Sequence, residues 1–326
     1  MLEHGGRLRQ AAKAYGIPLT GWLDLSTGVS PFAYPLPEVP ARVWQRLPED
    51  DDGLAAAAEA YYRVPVLPVA GSQAAIQALP HLRDRSRVGV IEPGYAEHAQ
   101  AWERAGHAVQ RLSPDAVLKA VSGVDVLVVI HPNNPTGTRF DRTELLAAAA
   151  ALSAHGGWLV VDEAFMDATP GNSLCAGGPR DGLVVLRSAG KFFGLPSARA
   201  GFVCATSSLL NALREWLGPW SLAGPTRYVI SVALADRRWQ AQQRVRLHAA
   251  STQLANLLAA RGLAPSGGCA LFQWCRHPDA AAIQHHLAAR GILVRLFEHP
   301  PSLRFGLPGS RAASARLEAA LAEVLA

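Results

Sequence analysis

Leu183-Val184-Val185-Leu186-Arg187-Ser188-Ala189-Gly190-Lys191 is an apolar run that ends in an arginine, three small residues and a lysine. Its first five residues, Leu183–Arg187, read as a strand, and the small residues after them as the turn that follows it. The lysine stands out because the chain has only two others, Lys13 and Lys119, and carries almost all its positive charge on arginine. A primary amine can form an imine with an aldehyde cofactor, whereas a guanidinium stays protonated. Arg199 follows eight residues later.

Outward from this stretch the same rhythm recurs. Strand candidates Val66–Ala70, Val88–Glu92, Val126–His131, Trp158–Asp162 and Gly201–Ala205 alternate with helix candidates Gln73–Leu82, Ala96–Ala105, Arg142–Ala154 and Ser207–Trp216. That alternation predicts an α/β domain on a mostly parallel sheet, whose ligands bind at the carboxyl ends of the strands. Beyond about residue 210 the pattern changes to a long polar-faced helix over Arg227–Arg261. Strand candidates Leu271–Arg276, Leu293–Phe297 and Ser302–Phe305 follow, with helices Asp279–Arg290 and Ser310–Leu325. The expected division is a large domain over 36–209 and a smaller α+β domain from 1–35 with 210–326. Pro31–Pro40 is too proline-rich for regular structure.

Composition narrows the function classes. A 326-residue chain with 49% hydrophobic residues can bury a sizeable core. The net charge of +5 is spread over scattered arginines with no basic run, which argues against nucleic acid. The alanine-rich segments are too short to cross a bilayer, so no membrane role is expected. Cys175, Cys204, Cys269 and Cys275 show no CxxC spacing, and the start lacks a secretory signal, so the expected compartment is the reducing cytosol. His285 and His286 are adjacent, on different sides of a helix, and no metal site is expected.

Several strand ends carry residues able to do chemistry. Gly71-Ser72-Gln73 follows a strand and opens a helix, a place for a phosphate or for a plain serine cap. Asp162 ends an apolar strand, where a carboxylate can hold a pyridinium proton or cap a helix. Asn133-Asn134-Pro135-Thr136-Gly137 puts an amide at a strand end, and Tyr95 puts a flat ring past another. Ser188 and Arg199 bracket Lys191 and suit a phosphate as neutral donor and charged fork. Singly each reads as ordinary structure. Together an amide nest, an aromatic plate, an amide, an acid and an amine at successive strand ends point to one cofactor site.

In order and spacing these residues resemble the fold-type-I pyridoxal-phosphate enzymes, the aspartate aminotransferase superfamily, over most of the chain. The resemblance implies an aspartate-aminotransferase-like fold and pyridoxal 5'-phosphate as cofactor, joined to Lys191 as an imine. It further implies Asp162 on the pyridine nitrogen, Asn134 on the phenolic oxygen and Tyr95 stacked on the ring. Gly71, Ser72, Gln73, Ser188 and Arg199 take the phosphate, and His98 supports Asp162 from behind.

Within that superfamily the chain is similar to the branch of the histidinol-phosphate aminotransferases and the cobalamin-pathway threonine-phosphate decarboxylases. His4-Gly5-Gly6, Leu23-Asp24-Leu25-Ser26-Thr27-Gly28-Val29-Ser30-Pro31, Gly190-Lys191-Phe192-Phe193-Gly194-Leu195, Pro219-Trp220-Ser221 and Leu303-Arg304-Phe305-Gly306-Leu307-Pro308 favour the decarboxylase group. The implied reaction converts L-threonine O-3-phosphate to (R)-1-amino-2-propanol O-2-phosphate, with aminotransfer of the histidinol-phosphate type as the alternative. A non-catalytic cofactor-binding regulator is a third reading, disfavoured because no winged-helix module precedes the enzyme-like segment.

The substrate is then a small phosphorylated amino acid or amine. Its anionic groups are expected at Arg304 and at His4 with the Gly5 and Gly6 amides, beside Asn134. A surface ion pair for Arg304 and a mobile terminus for His4 are the competing explanations. A homodimer with active sites near the subunit interface is also implied. Three positions depart from the family pattern. Phe165 stands where a tyrosine often bonds the phenolic oxygen, and its absence is expected to raise the pKa of the imine. Leu47 replaces a tyrosine that reaches the neighbouring subunit's phosphate, and Ser30 an asparagine.

Overall fold

The computed structural model describes residues 4–325. Their strands are β1 (Leu23–Leu25), β2 (Val66–Val69), β3 (Arg87–Ile91), β4 (Ala108–Leu112), β5 (Val126–Ile130), β6 (Trp158–Asp162), β7 (Leu183–Ser188), β8 (Gly201–Cys204), β9 (Gly267–Cys269), β10 (Phe272–Arg276), β11 (Ile292–Phe297) and β12 (Ser302–Gly306). The chain forms two compact units. The larger comprises Ala33–Asn134 and Thr138–Ala241; the smaller runs through Phe32, takes in Pro135–Gly137 and resumes at Gln242.

The larger unit is built on a seven-stranded sheet in the order β2-β8-β7-β6-β5-β3-β4. β3 to β7 run parallel, and β8 alone runs against both of its neighbours. Every residue of β5 and β7 is buried. That explains the apolar run of β5, and of β7 as far as Leu186, because strands covered on both faces have no solvent side to mark with polar residues. Val126, Val128, Val160, Val184 and Leu186 pack with Ala75, Ile76, Ala99, Trp102, Leu210 and Leu213 from helices Ser72–Ala78, Glu97–Arg104 and Ser207–Leu217. Helix Arg142–Ser153 packs on β6, its first turn capped by Asp141, whose carboxylate accepts the Thr143 and Glu144 amides at 2.7 and 3.1 Å.

The smaller unit carries a five-stranded sheet in the order β1-β11-β12-β10-β9, parallel only between β1 and β11. Helix Ala280–Ala289 packs on β11 and against helices Leu8–Tyr15 and Arg311–Val324.

Three features differ from the sequence expectation. β4 lies at the sheet edge with Gln110 and Arg111 exposed, so no apolar run announces it. The single helix expected over Arg227–Arg261 is two, Gly224–Ala235 and Arg237–Ala260, broken at Asp236 (φ −81, ψ 77). Asp236 accepts the Trp239 amide at 2.9 Å and the Tyr34 hydroxyl at 3.2 Å, so it acts as a cap where no glycine or proline marks a stop. Residues 210–241 belong with the larger unit. Helix Gly224–Ala235 packs on helix Leu54–Tyr62, and buried Arg227 grips Asp52 through Nε and Nη2 at 2.6 and 2.8 Å.

Candidate active site

The reversal of β8 assembles one edge of the larger sheet. Gly201, its first residue, pairs with Val69 of β2 on one side and Ser188 of β7 on the other. The start of β8 therefore meets the ends of β2 and β7, and Gly71-Ser72-Gln73, Ser188–Lys191 and Arg199 come to the same edge. β3, β5 and β6 run parallel to β7, so Tyr95, Asn134 and Asp162 also leave their strands there. The nine residues expected at the cofactor thus belong to one unit and, directly or through the first helical turns, to one sheet edge.

The phosphate side is a tight cup. Gly71 has φ +75 and ψ 157, a conformation essentially reserved for glycine, and a Cβ there would lie 2.7 Å from Arg199 Nη2. The arginine is held close by its own left-handed backbone (φ 52) and by a 3.2 Å bond from Nη1 to the Pro196 carbonyl. A guanidinium beside the first amides of helix Ser72–Ala78 makes a cationic, donor-rich place for an anion. Ser188, buried at the end of β7, adjoins it.

Asp162 is 4% exposed and His98 1%, and His98 Nε2 lies 2.9 Å from Asp162 Oδ2. The other oxygen, Oδ1, accepts the Ala164 amide at 3.0 Å. This carboxylate is fixed from two sides, and one of its partners is the His98 imidazole that the resemblance pairs with it. Tyr95 donates to Gln73 Oε1 at 3.1 Å, and Gln73 donates to Glu97 at 2.9 Å. Burial, with the Glu97 and Asp162 carboxylates nearby, pushes the Tyr95 hydroxyl up to about 12, so the ring is presented neutral.

Asn133, buried beside half-buried Asn134, donates from Nδ2 to the Pro93 carbonyl at 2.8 Å and so ties the asparagine turn to the Tyr95 loop. That role was not foreseen, since two adjacent asparagines give no sign of which one faces inward. Lys191 lies in the short helical turn Ala189–Phe192, with Nζ 5.8 Å from the centroid of the buried Phe165 ring. Phe165 offers the amine an apolar neighbour instead of a phenol.

In the smaller unit Arg304 is only 7% exposed, so it is no surface ion pair. It pairs with Arg295 across β11 and β12, donates from Nη2 to the Ser26 carbonyl at 2.7 Å and faces the Phe272 ring. Burial, then repulsion from Arg295, lowers its pKa to about 10, which leaves it cationic at neutral pH. Gly5 packs so closely that a Cβ would meet the Ser26 carbonyl at 2.3 Å, and the Gly6 amide already donates to Ser26 Oγ at 2.8 Å. Of the two amides expected at the substrate, that of Gly6 is therefore committed within its own unit. Ser30 likewise accepts from Gln243 at 2.8 Å.

A threonine-phosphate decarboxylase of Pseudomonas aeruginosa is 58% identical over 98% of this chain and 97% of its own length. One from a Sinorhizobium species is 43% identical over 99% of this chain and 98% of its own. The structure of a histidinol-phosphate aminotransferase from Sinorhizobium meliloti, solved with pyridoxal-5'-phosphate, superimposes with a TM-score of 0.83 over 100% of this chain and 98% of that one at 19% identity, a likeness of fold. The family model "Aminotransferase class I and II" matches residues 50–321, and the chain belongs to that family.

Proposed function

We propose that this chain is a pyridoxal 5'-phosphate enzyme that decarboxylates L-threonine O-3-phosphate to (R)-1-amino-2-propanol O-2-phosphate, a step of cobalamin biosynthesis. The observation that carries this reading is the 58% identity, along almost the whole of both chains, to a protein named for that activity. The residues present also fit the cofactor. The Gly71–Arg199 cup is closed to a side chain at Gly71 and offers a cation and helix amides to a phosphate, while Asp162 is a buried carboxylate with an imidazole behind it.

When bound, the cofactor supplies an electron sink beside the substrate's α-carbon. The chain's residues do the rest. Arg199, Ser72, Ser188 and the amides at Gly71 and Gln73 bind the phosphate, and Asp162, oriented by His98, keeps a proton on the ring nitrogen. Asn134 would meet the phenolic oxygen and Tyr95 would cover the ring. Lys191 would anchor the cofactor covalently at rest and be released as a free amine when the substrate's amine takes its place. The bonding electron pair left when the carboxylate departs as carbon dioxide would be taken up by that sink and returned to the α-carbon, where the freed Lys191 Nζ would deliver the replacing proton. Arg304, desolvated and cationic, receives an anionic group of the substrate, with His4 and Gly5 alongside; fixing that group selects which bond is broken.

We further propose that the enzyme is a cytosolic homodimer. Leu36, Trp44, Leu47, Trp216 and Trp220 are all more than half exposed, a set of large apolar side chains in the larger unit that a second copy would cover. Cys175, Cys204, Cys269 and Cys275 are buried and form no disulfide, which suits a reducing compartment.

The test is to supply purified, cofactor-loaded protein with threonine phosphate and follow carbon dioxide, aminopropanol phosphate and keto acid together. Gas and aminopropanol phosphate in equal amounts are expected. Amino-acid-to-keto-acid exchange without gas would replace this reading with the aminotransferase one.

A further inference from the structure

Directly behind the cofactor edge lies an ion cluster that the reaction as described does not use. Glu163 follows Asp162, and Arg187 precedes Ser188, so in extended strands their side chains point away from those of the site residues. Arg187 pairs through Nη1 with Glu163 and through Nη2 with Asp167, and its Nη1 also reaches Ser173 Oγ at 3.1 Å. Glu163 in turn accepts the Ser173 hydroxyl at 2.5 Å and the Leu174 amide at 2.7 Å. The guanidinium lies 4.7 Å from the Tyr62 ring centroid, and Glu163, Asp167 and Arg187 are each at most 1% exposed.

Stability is a poor reason for such a cluster. Taking three charges out of water is expensive, and apolar residues of similar volume often hold a fold as well or better. What ions provide is direction, since a bridging guanidinium fixes its carboxylates in one geometry. Here the direction is tied to chemistry. The Glu163 amide also donates to the Leu186 carbonyl at 2.9 Å, so main chain and side chain together lock the end of β6 to the end of β7. One strand delivers the acid and the other leads into the amine.

We infer that the Glu163–Arg187–Asp167 cluster is a positioning device for the reaction, holding Asp162 and the Ser188–Lys191 turn in mutual register from the far side of the strand ends. The inference rests on the reading of Lys191 as the cofactor-bearing residue. Burial alone would favour a neutral arginine, but the Asp167 and Glu163 carboxylates hold the Arg187 pKa well above its ordinary value, while burial raises that of Glu163.

Asp167→Asn and Arg187→Lys test it, beside Leu213→Ala, which empties a buried site under helix Ser207–Leu217 away from the cluster. Asp167→Asn keeps an acceptor for Arg187 and is the variant expected to fold best. For each loaded protein the measurements are melting temperature, the pH midpoint of the cofactor absorbance band, cofactor dissociation constant, kcat and KM. A positioning role moves the midpoint by about half a pH unit or more in both cluster variants. It also lowers kcat by about tenfold or more with KM little changed. Leu213→Ala should lose melting temperature only. A wild-type midpoint and kcat in Asp167→Asn, with a melting loss like that of the control, would overturn the inference and leave the enzyme assignment standing. Wild-type protein that shows no Lys191-linked absorbance would overturn both.

Discussion

Replacing Asp162 by asparagine removes a charge and almost no volume, which makes it the sharpest probe of the site. Asp162 Oδ1 accepts the Ala164 amide and Oδ2 faces His98 Nε2 at 2.9 Å, with the whole side chain almost sealed from water. Asparagine can keep the first bond with its carbonyl oxygen. Its amide nitrogen then faces His98 Nε2, and the pair is satisfied once the imidazole carries its proton on Nδ1. The fold should therefore survive. What disappears is the charge-assisted bond to the ring nitrogen, worth about 1.5–3 kcal/mol. At 1.36 kcal/mol per decade, kcat/KM for threonine phosphate should fall by about 10- to 160-fold if that bond strengthens as the α-carbon acquires charge. Carbon dioxide release gives the rate, and the visible absorbance shows whether the cofactor is retained. A variant with bound cofactor and an unchanged kcat/KM would refute the role of Asp162; one that lost the cofactor would show the contact to be a binding one.

Lys191→Ala should leave the circular dichroism unchanged, abolish the yellow absorbance and reduce turnover below detection. Turnover in that variant would remove the amine from the mechanism. Gly71→Ala forces a side chain into a glycine-only conformation and against Arg199, at a cost of about 1–3 kcal/mol. Equilibrium dialysis should show cofactor affinity weaker by about tenfold or more. His131, at the start of the asparagine turn, is buried, and burial followed by the charge of Arg139 lowers its pKa to about 4 from 6.5. Between those values the unfolded chain takes up a proton that the folded one refuses, so stability should fall as pH drops from 6.5 towards 4. His131→Asn, which keeps an acceptor for the Phe140 amide, should flatten that part of the melting-temperature profile.

The parallel core was legible because strands buried on both faces are written as unbroken apolar runs: β5, β6 and β7 lie within a residue of their expected limits. The candidate site residues stood out only as a set, since each polar residue that ends such a run also reads singly as a cap or a turn. Legibility fails where the deciding partner is distant in sequence. β4 is half polar because it is an edge, and Asp236 stops a helix by bonding Tyr34, 202 residues away. Arg187 showed as a charge inside an apolar strand, but only the fold brings Glu163 and Asp167 to it. Arg304 stood out in the sequence as an anion-binding candidate against a plain surface ion pair, and only the fold, with β10 and β11 on either side of it, shows that it is buried.

The opposed direction of β8 has one more consequence. A parallel neighbour would have to reach its place through a helical crossover, and the spacing of the two strand ends would follow the helix layer wherever it moved. A reversed neighbour needs only the turn from Ala189 to Ala200, so the distance from amine to guanidinium is set by loop length alone. Movement of the helices outside this sheet leaves that distance unchanged, whereas an insertion between residues 191 and 199 would alter it.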